Sequence, residues 1–137
     1  MQKIEPMELN ARVKEALSRT TIMALGTMGD DGSWVSPVEY EHDEKLVLYF
    51  LSMMDTKHVA NILRDYRVSV AIYSHPGPPG GNMGLQIRGR AKHLAAESEG
   101  EGGWQRFQIT PAEVWCFDSR VFGTSRQRVD LTHLRIK

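Results

Sequence analysis

Hydrophobic spacing divides the chain into segments before any residue is given a role. Leu9, Val13, Ala16 and Leu17 fall at i, i+4, i+7 and i+8 within residues 7–18, among charged and polar neighbours. One apolar stripe of that period predicts an amphipathic helix. The period then changes. Residues 20–27 are β-branched and apolar and end in the turn formers MGDDGS, after which 33–42 reads as a second strand. Two extended runs around Asp-Gly predict a hairpin. HDEK (42–45) predicts the next turn. The third strand, 45–52, is apolar at nearly every position. A sheet with one face in water would alternate, so both faces of this strand are expected to be covered, one by the core and one by a helix or another subunit.

Helix spacing returns at 55–65 through Val59, Ile62 and Leu63, with Asp55 as the expected N-cap. Residues 67–75 read as a fourth strand. The segment 76–84 holds three prolines and four glycines and is expected to be a loop. A fifth strand, 85–96, alternates Leu85, Ile87, Gly89 and Ala91 with Gln86, Arg88, Arg90 and Lys92. Residues 97–103 are acidic and glycine-rich, 112–120 reads as a sixth strand, and 127–134 as a short last one. The sum is one domain over 1–137, an all-β barrel of six short antiparallel strands with two helices. The order lacks the βαβ alternation of a doubly wound sheet.

Composition narrows the function classes. The chain has 137 residues, and its 17 Lys+Arg balance 17 Asp+Glu. Zero net charge argues against a nucleic-acid partner, which usually meets a basic excess. A single cysteine excludes an intramolecular disulfide and fits a reducing compartment. The longest apolar run, 46–51, is far too short to cross a membrane, and the first residues lack the apolar centre of a signal peptide. A soluble, cytoplasmic protein is expected.

The candidate chemistry is mostly negative. The five histidines, His42, His58, His75, His93 and His133, share no metal-ligand spacing, so no metal site is expected. Cys116, between Trp115 and Phe117, reads as a small core thiol. The glycine-rich loop matches neither a Walker loop nor a dinucleotide fingerprint. The segment 49–62 is more informative. A strand runs into a helix whose first turn carries Thr56, Lys57 and His58. Helix N-termini offer free N–H groups and partial positive charge, which suits a phosphate. The plainer reading is a capping Thr and a solvated Lys. The basic row Gln86, Arg88, Arg90 and Lys92 is an ordinary solvent face or, under a partner, the wall of an intersubunit cleft.

Three segments in this order resemble the pyridoxamine 5′-phosphate oxidase-like FMN-binding split barrels, particularly their short general-stress-protein branch. They are TTIMALGTMGDDGSWVSPVEY, LYFLSMMDTKHVANILRDYRVSVAI and LQIRGRAKHL, which together cover about residues 20–95. The resemblance implies a six-stranded antiparallel split β-barrel with two or more flanking helices, working as a homodimer with FMN at the subunit interface. It implies flavin contacts from Val35, Ser36, Pro37 and Val38 on one strand and from Leu51 and Ser52 on the next. Thr56, Lys57 and His58 would hold the phosphate, with His58 where many relatives have a second basic residue. Gln86 and Arg88 would face the isoalloxazine edge. The C-terminal arginine–histidine substrate motif of true pyridoxamine phosphate oxidases has no convincing copy in SRVFGTSRQRVDLTHLRIK. The implied function is therefore FMN-dependent redox chemistry on another substrate, with stress response as a setting. The alternatives are a deazaflavin or haem on the same barrel, or a flavin-binding protein without turnover.

Overall fold

The N-terminal stripe folds as its period predicts. In a computed structural model describing residues 4–75, 81–95 and 103–136, helix α1 spans Pro6–Arg19 and buries Leu9, Val13, Ala16 and Leu17. Pro6 opens it, where a missing N–H costs nothing. Its apolar face packs on three strands, β5 (Arg67–Ser74), β6 (Met83–His93) and β7 (Trp104–Asp118).

The expected first hairpin is present as β1 (Ile22–Gly29) and β2 (Gly32–Glu39), joined by the two residues Asp30 and Asp31. Gly32 closes that turn at φ 113°, a conformation that favours glycine. After Tyr40 alone, the chain continues as β3 (Glu41–His42), then turns into β4 (Leu48–Met53). All strand pairs are antiparallel, in the order β2-β1-β5-β6-β7-β4-β3, with β8 (Arg126–Arg128) added on β7. The two ends of this path, β2 and β3, are thus one bent strand. Its first part pairs with β1 and its last part with β4, so the sheet must curl round on itself. Tyr40 sits buried at the bend, and its hydroxyl donates to Thr20 O at 2.8 Å. The fold is mainly β, an antiparallel sheet curled into a barrel with helices α1, α2 (Lys57–Arg64) and α3 (Ser119–Phe122) at its flanks.

The fold class agrees with the sequence, but the described residues form eight strands and not six. The last predicted strand shrinks to β8 and a 3-10 turn at Leu131–His133. Residues 76–80 and 97–102 of the two predicted loops lie outside the described residues, as does residue 96 at the end of the fifth predicted strand, and Met83 and Gly84 belong to β6, which ends at His93. The main omission is the first half of β7, residues 104–111, which pairs with β4 and with the end of β6. Phe107 and Ile109 point into the core there, and so do Val114 and Cys116 further on. The first pair is odd-numbered and the second even, so the alternation changes phase within one strand. The pairing shows how. Arg88 faces Glu113 while Gly89 faces Pro111, which leaves Ala112 as one extra residue, a β-bulge. Gly89 permits it, since a Cβ there would meet Thr110 O at 2.8 Å.

The third predicted strand also differs. Only Leu48–Met53 is strand, and its side chains alternate: Leu48, Phe50 and Ser52 are buried, whereas Leu51 is 52% exposed. The apolar Leu46 and Val47 belong to the turn before it. Asp43 accepts from the N–H groups of Lys45 (2.9 Å) and Val47 (3.0 Å), and Leu46 takes a left-handed conformation at φ 66° with its side chain fully buried. Among the described residues no element covers the outward face of β4 at Leu51.

Candidate functional site

Helix α2 starts where β2 and β4 approach each other. Its N-cap is Thr56, not Asp55. The Thr56 hydroxyl accepts from Val59 N (3.4 Å) and donates to Met53 O (3.0 Å), so it ties the helix start to the end of β4. Its proton is spent there and not held free for a ligand. The next two residues reach opposite strands. Lys57 Nζ lies 4.4 Å above the Trp34 ring of β2 and 2.9 Å from Asp31 Oδ2 in the hairpin turn. His58 Nε2 is hydrogen-bonded to Ser52 Oγ of β4 at 2.7 Å. One helical turn therefore bridges the split between the two strands. Behind it, Asn61 Nδ2 donates to Thr27 Oγ1 at 3.0 Å, and both residues are buried.

The structure gathers some of the predicted residues and separates others. Ser36, Val38 and Ser52 face inward and are buried. Val35, Pro37 and Leu51 face outward, and Val35 is 65% exposed. Thr56, Lys57 and His58 stand at the split between these strands. Gln86 and Arg88 do not join them. They lie on the outward face of β6, three strands from β2 and two from β4 along the sheet. There they line a shallow cavity of about 350 Å³ with Ser69, Ala71, Glu113 and Trp115. Arg126 Nε donates to Gln86 Oε1 at 2.6 Å, and Arg88 pairs with Glu113 at 3.8 Å. The indole N–H of Trp115 holds the Glu113 carboxyl below its usual range.

The His58 ring is buried and turned toward Ser52. Burial lowers its pKa, so the ring is neutral at pH 7. A depressed histidine stabilises the fold above the unfolded pKa, about 6.5, and that contribution is lost as pH falls below it. The urea midpoint of the protein should therefore drop between about pH 7.5 and about pH 5 by more than that of His58→Gln. Identical drops in both proteins would mean that His58 protonates freely in the fold.

Sequence reasoning missed Asp31, Trp34 and the Asn61–Thr27 pair. Asp30 and Asp31 read only as turn formers, and Trp34 as the start of a strand. The register signal that could have found Trp34 is its place opposite Thr27, on the inward side of the hairpin near the open end.

What the arrangement suits is an amphipathic anion. A lysine and the first N–H groups of a helix stand between two strands that carry exposed apolar side chains on their outward face. Among the described residues no three His, Cys, Asp or Glu side chains converge on a metal site, and no helix is long and apolar enough to cross a membrane.

Solved structures of other proteins share this fold. A protein of Listeria innocua named for pyridoxamine 5′-phosphate oxidase is 20% identical, with a TM-score of 0.68 over 80% of this chain and 98% of its own. General Stress Protein 26 of Bacillus anthracis is 14% identical, with a TM-score of 0.67 over 89% of this chain and 99% of its own. An FAD-binding protein of Mesorhizobium loti is 19% identical, with a TM-score of 0.63 over 82% of this chain and 94% of its own. The fold is shared as well with an F420 reductase (TM-score 0.61) and with a haem storage protein of Vibrio cholerae (TM-score 0.64). At these identities the likeness is one of fold. No curated protein matches the sequence. The sequence model of the pyridoxamine 5′-phosphate oxidase family matches residues 9–133, nearly the whole chain, and the protein belongs to that family of split barrels.

Proposed function

We propose that the protein is an FMN-binding oxidoreductase that works as a homodimer. The observation that carries this reading is the first turn of α2, which sets Lys57 against β2 and His58 against β4 at the split of the barrel. The residues fit the group. Lys57 and the N–H groups of the first turn would hold the phosphate. Thr56 and the buried Ser52–His58 pair fix the position of that turn. Val35, Pro37 and Leu51 offer apolar surface to a planar ring. Bound FMN supplies electron or hydride transfer, and the protein supplies position and electrostatics. The FAD-binding structure with this fold supports a flavin. The F420 reductase and the haem storage protein are the fold's other cofactor classes, a deazaflavin and a haem. A site built around a lysine at a helix start favours a phosphorylated ligand over haem.

The dimer rests on the outward face of the sheet. Register aligns Val35 with Gly26 and Pro37 with Ala24, and these continue to Ser69 and Ala71 on β5. Ile22, Val35, Leu51 and Tyr73 stand exposed on this face. Exposed apolar side chains gathered on a sheet face are the kind of surface a partner covers. The same face carries Gln86 and Arg88 further round. A second copy docked on it would bring its own β6 toward the β2–β4 split, which one chain alone does not do.

One experiment tests the reading. Protein loaded with FMN is sedimented and followed at the flavin band. Colour moving with a species of twice the chain mass is the expected result. Colour left in the buffer would sink the flavin reading, and colour moving with a monomer would sink the dimer.

A further inference from the structure

We propose that Asp31 competes with the flavin phosphate for Lys57 and so sets how strongly the site prefers a phosphorylated flavin. This rests on the flavin reading above. Asp30 and Asp31 form the two-residue turn between β1 and β2, a position where the backbone requires no carboxylate. Both nonetheless find cations on α2. Asp30 pairs with Arg64, near the helix C-terminus, and Asp31 with Lys57 at its start. The hairpin is thereby clasped along the helix by two ion pairs, each formed across a wide separation in sequence.

The two pairs differ in what they hold. Arg64 lies in the last turn, remote from the phosphate position. Lys57 is the residue a phosphate at the helix start would need, and its ammonium already faces a carboxylate on one side and the Trp34 ring on the other. The Lys57 ammonium holds the Asp31 carboxyl below its usual range. An arriving phosphate must share or displace Asp31, and its own charge repels that carboxylate. Both side chains of the pair are substantially exposed, 42% for Lys57 and 68% for Asp31. Exposed pairs are weak, so the exchange is easy and Asp31 tunes affinity without blocking the site. A flavin without phosphate never contends for Lys57, so Asp31 leaves it unaffected.

The test measures dissociation constants for FMN and riboflavin by quenching of flavin fluorescence, in wild type, Asp31→Asn and Asp30→Asn. Asp31→Asn should bind FMN about fivefold more tightly, with riboflavin affinity unchanged. Asp30→Asn removes the other clasp but leaves Asp31 on Lys57, so it should move the FMN-to-riboflavin ratio by less than about twofold. An Asp31→Asn protein that binds FMN as wild type does, or more weakly, overturns the inference while leaving the flavin reading intact. So does an equal gain for both flavins. If wild type and Asp31→Asn bind neither flavin, the flavin reading fails and the inference falls with it.

Discussion

Lys57→Ala should weaken FMN binding by about 1.5–3 kcal/mol, roughly 10- to 150-fold, and leave riboflavin nearly untouched. The range is that of a hydrogen bond to a charged group. Two features of the structure push the result toward its upper end. Removing the ammonium leaves the Asp31 carboxylate, which sat 2.9 Å from it, uncompensated near the phosphate. The first-turn N–H groups then face the anion alone. One feature pushes the other way for the control ligand: Lys57 also covers the Trp34 ring, and its loss exposes that ring. A flavin that stacks on Trp34 would respond even without a phosphate. Paired titrations with FMN and riboflavin therefore separate the two roles. Equal losses for both ligands would show that Lys57 acts through Trp34 or through folding.

Phe107→Ala should cost about 3–5 kcal/mol of stability, enough to leave many domains barely folded. Phe107 is fully buried, and its ring stacks on Phe50 at 5.1 Å and on His93 at 4.9 Å between centroids. It lies where β4, β6 and β7 meet, paired with Phe50 on one side and His93 on the other. Three strands would line the resulting cavity, so no single side chain can move to fill it. Urea unfolding should show a much lower midpoint with an unchanged slope. A loss below about 1 kcal/mol would mean that the site collapses freely.

Local physics explains which parts of this fold were legible. The helix α1 stripe, the Asp-Gly hairpin and the alternation of β6 each follow from one periodicity or one turn chemistry, and each stands where it was expected. The apolar run before β4 was misread because Leu46 is buried from a turn with Val47 half-buried beside it, and periodicity cannot tell a buried turn from a buried strand. The N-cap moved one residue because Asp55 and Thr56 are both good caps, and tertiary position decided between them. In the site, Thr56, Lys57 and His58 are neighbours in sequence and stayed together. Trp34 and Asp31 reach Lys57 only through the fold. The burial of His58 was equally out of sight, since it depends on Ser52 across the strand-to-helix turn.

On either side of the bulge at Ala112, β7 keeps a strict two-residue beat: Phe107 and Ile109 inward before it, Val114 and Cys116 inward after it. Losing that one residue would restore a uniform beat and turn one half of the strand inside out, aromatic and aliphatic groups to water and polar ones to the core. Substitutions at Ala112, whose side chain is exposed, meet no such barrier. Length is therefore more constrained here than identity. A one-residue insertion or deletion at the bulge should destabilise the barrel far more than any substitution of Ala112.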